Sequence, residues 1–576
     1  MFAKKFMGSE IHVDRRLAPM VGASMAIVLR ALVALALLAM PATAAVRLDA
    51  PLAEAIETGS AVTVVLSMDD PAEAAGLTIQ VNKHDVTGRL RGTGTTRTLV
   101  LAGVPGTSAV LARGRNTISV SGPGTTIERR FKWKPGNARV HLVVVGNRIN
   151  FAAYESFATW QAEVDRIFNT LVVPKLVTGR PNVVLLTEDF GLPSALLGSR
   201  GAAARVAKDA DPLTGLGSLF VTYQPQAQFY LDHLTLPGTG SGPLARALTL
   251  ALTDTLWRAF VPVLGAKAAA VGAYVVACTN VVPALRSTAP ADVAFFGDVD
   301  NPGRTDVFLP NGADVYNTAF LWGPDGQLIG TTRKVNLTQQ ESDILNLSSG
   351  ALDDVQVFDT PAGRLGIAIS LDAFTPEYVH RLDDLGATLV LQPDANSQLW
   401  AAPSATSAWQ PDEWTESVLG MLRADLPNLT YNATSMMTGS FFPGSPGPDG
   451  LPTGIVFDGQ SSVTKRGTHP PKRSFVGMAP GSDLTILGAP LLGEFVALAP
   501  WAFPDPGQVH GRAKLEALRA RCGSAAGAGE SPGKLSLDTR RAILLDCARS
   551  LVPGGTNADA FAESVLTADL PLPVGR

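Results

Sequence analysis

Two rhythms of apolar positions divide this chain. From about Val46 to Pro135 apolar and polar residues alternate in short, β-branched runs. Among them are Ala61-Val-Thr-Val-Val-Leu66, Leu77-Thr-Ile-Gln-Val81, Thr98-Leu-Val-Leu101, Asn116-Thr-Ile-Ser-Val120 and Thr126 to Trp133. A period of two sends one side chain into a core and the next into solvent. Gly, Asp and Pro clusters break the runs at short intervals, so this region predicts a small β-sandwich of the immunoglobulin-like kind. After Gly136 the runs become apolar throughout, as in Val140-His-Leu-Val-Val-Val145 and Asn182-Val-Val-Leu-Leu-Thr-Glu188. That is the pattern of strands covered on both faces. Between them Phe157, Trp160, Val164, Ile167, Phe168 and Leu171 recur at helical spacing, and strands alternating with amphipathic helices predict an α/β layer architecture.

Other stretches are less regular. Leu192 to about Gly242, rich in Gly, Pro and Ala, reads as an irregular insertion near the mouth of a site. Pro243 to Val263 is strongly apolar but holds Arg246, Asp254 and Arg258; charges at the middle of a membrane span are expensive, so a buried helix is expected. At the amino end Lys4, Lys5, Arg15, Arg16 and Arg30 precede the apolar run Ala31 to Met40 and then Pro41-Ala-Thr-Ala44-Ala45. This order predicts a secretory signal cut after Ala44 or Ala45, hence an exported protein, periplasmic or secreted. A retained membrane anchor is the competing reading, and Arg30 disfavours it by shortening the apolar stretch. The expected divisions are 1–45 signal peptide, 46–136 β-sandwich, 137–505 α/β domain, and 506–576 a tail with short helices at Arg512 to Arg521 and Leu537 to Leu551.

Length and charge narrow the function. A chain of 576 residues exceeds what one core ordinarily organises, and its apolar fraction of 46% is that of a globular protein. A net charge of -4 with no long basic run gives no electrostatic footprint for nucleic acid. Cys278 reads as a small buried strand residue, whereas Cys522 and Cys547 lie in the tail, where export would allow them to pair. The seven histidines are scattered and no Cys/His spacing suits a metal, so neither a metal nor an organic cofactor is expected.

The candidate chemistry sits in three separated segments. The first is Val183-Val-Leu-Leu-Thr-Glu188-Asp-Phe-Gly191-Leu192. The second is Tyr316-Asn317-Thr-Ala-Phe-Leu-Trp-Gly-Pro324-Asp-Gly326-Gln-Leu-Ile-Gly330-Thr-Thr-Arg333-Lys334-Val-Asn-Leu337, whose Pro-Asp-Gly between apolar runs also predicts a hairpin. The third is Gly363-Arg-Leu-Gly-Ile-Ala-Ile-Ser370-Leu-Asp372-Ala-Phe-Thr-Pro376-Glu377. In this order and spacing the three resemble the nitrilase or carbon–nitrogen hydrolase superfamily across about Ala138 to Trp501. Val355 to Gly363, Leu385 to Pro393 and a late hairpin at Gly454 to Val463 agree with it.

The resemblance implies an α-β-β-α sandwich of two mixed sheets with helices outside, acting on a small-molecule amide, nitrile or acyl substrate. It implies Glu188 as general base, Lys334 as the cation that stabilises the developing oxyanion, Glu341 as a second glutamate orienting the lysine or a water, and Ser370 in the nucleophile's place, where the family has a cysteine. A homodimer through the helix face near the nucleophile is also implied. Each residue has a plainer reading: Glu188 as a strand-end carboxylate, Lys334 beside Arg333 as a solvated pair, and Asp372 and Glu377 as caps of the helix that Thr375-Pro376 opens. A hydroxyl is far less acidic than a thiol, so two functions stand open. One is an exported amidase-like or acyl-transfer enzyme; the other is a catalytically degenerate fold kept for binding or assembly. Trp400, Trp409 and Trp414 are candidates both for packing and for pocket walls.

Overall fold

The computed structural model describes residues 46–102, 110–400, 409–423, 425–442, 454–472, 485–486, 489–499 and 563–575, together with residues 475 and 542. The expected signal segment, Cys522, Cys547 and, apart from residue 542, both tail helices lie outside the described residues.

The alternating region forms two facing sheets, one of three strands and one of five. Its inward positions, Val62, Val64 and Leu66 from one and Ile79, Val81, Ile118, Val120, Phe131 and Trp133 from the other, are all buried in one cluster. The module is not a free spacer. Arg89 reaches Asp383 at 3.3 Å and Asp384 at 3.5 Å, and Arg91 Nε meets Asp384 at 2.5 Å, on the last turn of the helix Pro376–Asp384. Asn428 completes the contact: its Oδ1 accepts from Ala102 N at 2.6 Å and its Nδ2 donates to Val100 O at 3.0 Å.

The rest of the chain builds two six-stranded sheets of similar plan. In the first the spatial order is Leu328–Arg333, Tyr316–Trp322, Tyr274–Val281, Asn182–Leu185, Gly136–Gly146 and Ser564–Val574. The Tyr274–Val281, Asn182–Leu185 and Gly136–Gly146 strands run parallel, and the outer pairings are antiparallel. In the second the order is Phe358–Thr360, Gly363–Ile367, Leu389–Asp394, Tyr431–Met436, Ser462–Lys465 and Glu494–Leu498, again with three parallel strands among antiparallel neighbours.

Period two explains how both faces are used. Leu142, Val144, Val183, Leu185, Val276 and Cys278 face Leu365, Ile367, Leu389, Leu391 and Ala433 between the sheets. The intervening Val143, Val145, Val184, Val275 and Ala277 pack outward on Trp160, Val164, Phe168, Phe260 and Leu264. Ala368 and Val390 pack on Tyr378, Val379 and Leu382 on the other side. Helix, sheet, sheet, helix is therefore the layer order, an α-β-β-α sandwich preceded by a β domain.

Helix boundaries follow local chemistry. Phe157–Arg166 starts where Ser156 accepts the Thr159 N–H and Thr159 answers the Ser156 N–H, and it runs on into a π turn through Val172. The Pro324-Asp-Gly326 hairpin forms as expected. Gly326 takes φ +79° and lies so close to Gly265 that a Cβ would sit 2.5 Å from its carbonyl oxygen.

Several expectations are corrected. The Leu192 to Gly242 stretch is helical, with Gly198–Ala207, Pro212–Thr222 and Gln224–His233; its glycines and prolines mark helix starts and breaks. The apolar Pro243 to Val263 stretch is two helices, Gly242–Ala251 and Thr253–Val271, bent by 55°. Among the described residues no single helix is long and apolar enough to cross a membrane. Gly454 to Val463 is no hairpin: Ile455–Asp458 pairs with Thr438–Phe442, whereas Ser462–Lys465 joins the second sheet. The tail does not end irregularly either. Ser564–Val574 adds an edge strand beside Gly136–Gly146, where Asp569 meets His141 Nδ1 at 2.7 Å and Arg180 at 2.8 Å.

That last strand buries Leu570 and Leu572 between the sheets. Leu570→Ala and Leu572→Ala should each cost about 2–5 kcal/mol of stability, read as a lowered midpoint in urea unfolding at unchanged slope. A shift under about 0.5 kcal/mol would remove the strand from the core.

Candidate active site

Four separate elements converge on one buried ammonium. Lys334 follows the strand Leu328–Arg333, its own N–H donating to Asn317 O at 2.8 Å. Nζ donates to Glu188 Oε1 at 2.7 Å and to Glu341 Oε2 at 2.8 Å. Glu188 lies three residues past the end of Asn182–Leu185, and Glu341 on the π turn Gln340–Ile344. Asn317, at the start of Tyr316–Trp322, donates through Nδ2 to both carboxylates at 2.9 Å. Lys334 is 1% exposed, Glu188 4% and Glu341 8%. The solvated-pair reading of Lys334 and the exposed strand-end reading of Glu188 therefore do not describe this chain.

Burial makes the two glutamates unequal. Glu341 is held below the usual carboxylate range: burial pushes it up, but the ammonium, Asn317 and the Thr338 N–H at 2.8 Å together outweigh that. Glu188 is raised, because burial and the charge of Glu341 exceed what Lys334 and Asn317 return. Burial alone would depress Lys334, yet its two carboxylates hold it above its ordinary value. Glu341 is thus the fixed counter-charge and Glu188 the carboxylate with the higher proton affinity. Two acids whose surroundings drive their proton affinities apart are suited to different roles.

Ser370 opens the 3-10 turn Ser370–Phe374 just beyond the strand Gly363–Ile367, with φ +47°. A non-glycine residue in the left-handed region is uncommon and strained. This one is half-buried at the corner where the strand becomes a turn. None of the hydrogen bonds of the lysine cluster reaches its hydroxyl. Its polar neighbour is Asp394, at the end of the adjacent parallel strand Leu389–Asp394. The structure therefore brings Glu188, Lys334 and Glu341 into direct contact and sets Ser370 beside Asp394, without a hydrogen bond to any of the three.

Asp372 does not cap the following helix. Its Oδ1 accepts from Asn336 N and Asn336 Nδ2, each at 2.8 Å, and from Val335 N at 3.1 Å. It thereby ties the turn after Ser370 to the residues that follow Lys334. Thr375 occupies the N-cap position of Pro376–Asp384, but its hydroxyl donates to Leu371 O at 3.2 Å. Glu377 stands exposed in the first helical turn, suited to the helix dipole.

Trp400, Trp409 and Trp414 are all buried. Trp414 packs edge-on against Phe374 at 4.9 Å, bracing the Ser370 turn from behind. Residues 401–408 of that loop lie outside the described residues. Cys278 is fully buried between the sheets, and burial together with the charges of Glu188 and Asp189 keeps its thiol protonated, so it is no stand-in nucleophile. Asn317 and Asp394 were not singled out from the sequence. The signal was present in both cases as a polar residue in an otherwise apolar buried strand. Among the described residues no cluster of three or more His, Cys, Asp or Glu has the form of a metal site.

Asp372 carries a pH signature. Burial pushes it up to about 7 despite its bonds to Asn336 and Val335 and the nearby Lys334. The folded form keeps a proton that the unfolded chain gives up near pH 4, so this group subtracts stability as pH rises from about 4 to about 7. Relative to Asp372→Asn, the wild-type melting temperature should fall across that window and run parallel above about pH 8. A constant difference from pH 4 upward would mean that Asp372 is ionised throughout.

Residues 302–442 match the family model for carbon-nitrogen hydrolase. Nitrilase 2 of Arabidopsis thaliana is 34% identical over 123 residues, which is 20% of this chain and 32% of that protein. The probable hydrolase YhcX of Bacillus subtilis is 34% identical over 86 residues, 15% of this chain and 16% of that protein. The chain thus spans about a third or less of the length of these curated relatives. Among solved structures, a carbon–nitrogen hydrolase from Helicobacter pylori G27 overlaps 57% of this chain and 82% of its own at 14% identity and TM-score 0.31. An amidase from Nesterenkonia sp. overlaps 57% and 82% at 14% identity and TM-score 0.30. The sequence match falls on the hairpin, the Lys334 loop and the Ser370 turn, and places residues 302–442 of the chain in the carbon–nitrogen hydrolase superfamily.

Proposed function

We propose that this protein is an exported enzyme that hydrolyses, or transfers the acyl group from, a small non-peptide amide or nitrile, with Ser370 as the attacking group. The observation that supports this reading is the buried ammonium of Lys334 held between two carboxylates of unequal proton affinity. A site kept only for packing would gain nothing from burying three charges, since apolar residues of similar volume are as stable or more so.

In this reading Ser370 Oγ attacks the carbonyl or nitrile carbon while its proton passes to Glu188. The hydroxyl is too weakly acidic to ionise first, so transfer and attack are concerted. Lys334 cannot serve as the base, because its two carboxylates keep it charged. As a fixed cation held out of bulk water it suits the oxyanion, or the developing imidate nitrogen of a nitrile. Glu341 and Asn317 hold the ammonium in place, and the Asp372 link keeps the Lys334 and Ser370 turns in register. The positive φ of Ser370 is the kind of backbone strain found at nucleophile turns in other hydrolases.

A second reading rests on one specific observation: Ser370, which the resemblance sets in place of the superfamily's thiol, has no hydrogen bond to the carboxylate that should activate it. In that reading the fold is a binding or assembly module.

Short amides, nitriles and N-acyl amino acids offered to purified protein distinguish the two. Ser370→Ala should abolish turnover, Glu188→Gln should lower kcat by about 100-fold or more, and Lys334→Met by about 100- to 1000-fold. Lys334→Met should also lower the melting temperature, because it strands two buried carboxylates. Turnover seen only in Ser370→Cys, or ligand-dependent stabilisation without any turnover, would favour the binding module.

Export is supported by the basic residues ahead of Ala31 to Met40 and the small residues that follow. Expression in a bacterial host with fractionation should give a periplasmic or secreted chain whose first residue, by mass spectrometry, is Ala45 or Val46. An intact amino terminus in the membrane fraction would assign the anchored form.

A further inference from the structure

A second acid lies beside Ser370. Asp394 ends its strand next to Gly363–Ile367, and Ala368 N donates to Leu391 O where the two strands run together toward the site. The Asp394 carbonyl accepts the Glu188 N–H at 3.5 Å, and the next amide, Ala395 N, donates to Glu188 Oε2 at 3.0 Å. Its side chain is 0% exposed, and neither carboxyl oxygen has a hydrogen-bond partner of good geometry, although the Ser370 hydroxyl and Gln392 amide lie close enough to act on it.

An ionised carboxylate left unbonded at that depth would be very costly, whereas a neutral carboxylic acid is tolerated. Burial and the charge of Glu188 hold Asp394 well above the usual carboxylate range. Lys334, Gln392 and Ser370 pull the other way without overcoming them. The result is a buried carboxyl group of high proton affinity, with no well-formed bond to lose, close to the attacking hydroxyl. Buried polar groups are nearly always paired, so an unpaired one at a strand end facing a reactive group calls for a functional explanation.

We propose that Asp394 is the proton donor to the leaving nitrogen in the reaction of Ser370. This rests on the amidase reading above. When Ser370 Oγ bonds to the amide carbon, the leaving nitrogen on that same carbon comes within reach of any group that touches Oγ. The Oγ proton goes to Glu188 and the carbonyl electron pair to the oxygen beside Lys334. On collapse that pair returns and the C–N bond breaks. The nitrogen keeps the C–N pair and takes the Asp394 proton, so that ammonia or an amine departs. Glu188 then passes the serine proton to Asp394, and in the second half water attacks the acyl-serine and gives its proton to Glu188. The Ser370 oxygen leaves with the proton stored on Glu188. Both acids return to their starting states, and the sum is amide plus water to acid plus amine. The division of labour suits a serine site: Glu188 is occupied with the hydroxyl proton, so a separate acid serves the nitrogen.

Leaving-group dependence tests the assignment. Wild type, Asp394→Asn, Asp394→Glu and Ser370→Ala are compared on an alkyl amide and on an aryl ester of the same acyl group, whose phenolate leaves without a proton. Asp394→Asn should lower kcat on the amide by about 100-fold and change ester turnover by less than about threefold. Ser370→Ala should lose both, and Asp394→Glu should recover part of the amide rate. Retained ester turnover also reports that the Asn variant is folded. Equal losses on both substrates, or no loss on the amide, would overturn the role of Asp394 while leaving the hydrolase reading intact. A wild-type protein that turns over neither substrate would overturn that reading and this one with it.

Discussion

A lysine ammonium removed from water must be neutralised or the fold cannot hold it. Here neutralisation draws on parts of the chain far apart in sequence: Glu188 from the first sheet, Glu341 from a turn, and Asn317 donating to both carboxylates. The requirement works in both directions. The carboxylates are tolerable only because the ammonium is there, and the loop carrying Lys334 is ordered by Asn317 O and Asp372. A single charge thus fixes how the ends of the two sheets meet, and everything placed around it, Ser370 and Asp394 included, inherits that geometry.

The layers supply the rigidity such a cluster needs. Strand ends in a doubly covered sheet cannot shift independently, because their side chains interdigitate with helices on one face and with the opposite sheet on the other. The β-sandwich extends this support. Its arginines close on Asp383 and Asp384, and Asp383 Oδ1 accepts from the backbone of Asn428 and Leu429. The helix held in this way begins at Pro376, immediately after the Ser370 turn. The module therefore bears on the frame of the site while contributing no side chain to the lysine cluster.

Much of this was legible in the chain. Strict alternation exposed the sandwich, continuous apolar runs exposed the covered strands, and the residues around Glu188 and Asn317 to Lys334 pointed to strand ends that the fold brings into contact. What escaped had a common cause. Asp394 follows Pro393 in a run that looks like any strand end, and only burial makes its carboxyl unusual. Asp372 reads locally as a cap because Pro376 follows, but a tertiary partner, the backbone at 335 and 336, competes successfully for it. The strand Ser564–Val574 carries Pro571 and Pro573, which argue against a central strand. An edge position accommodates them. The Leu192 to Gly242 stretch looked irregular because glycine and proline punctuate it, yet tertiary packing on Phe296 and Tyr154 sustains helices there.

The placement of Ser564–Val574 bears on how the molecule comes into being. Asp569 meets His141 across 428 residues of chain, so the edge of the first sheet stays open until that much further chain has been made. Until then the Gly136–Gly146 strand presents unsatisfied amides and a bare apolar flank, a state that invites wrong partners. Contacts of such range are also slow to form. Until its closing strand has been made the sheet can still accept another strand, and release of the chain short of it would leave an adhesive intermediate in place of a smaller working protein.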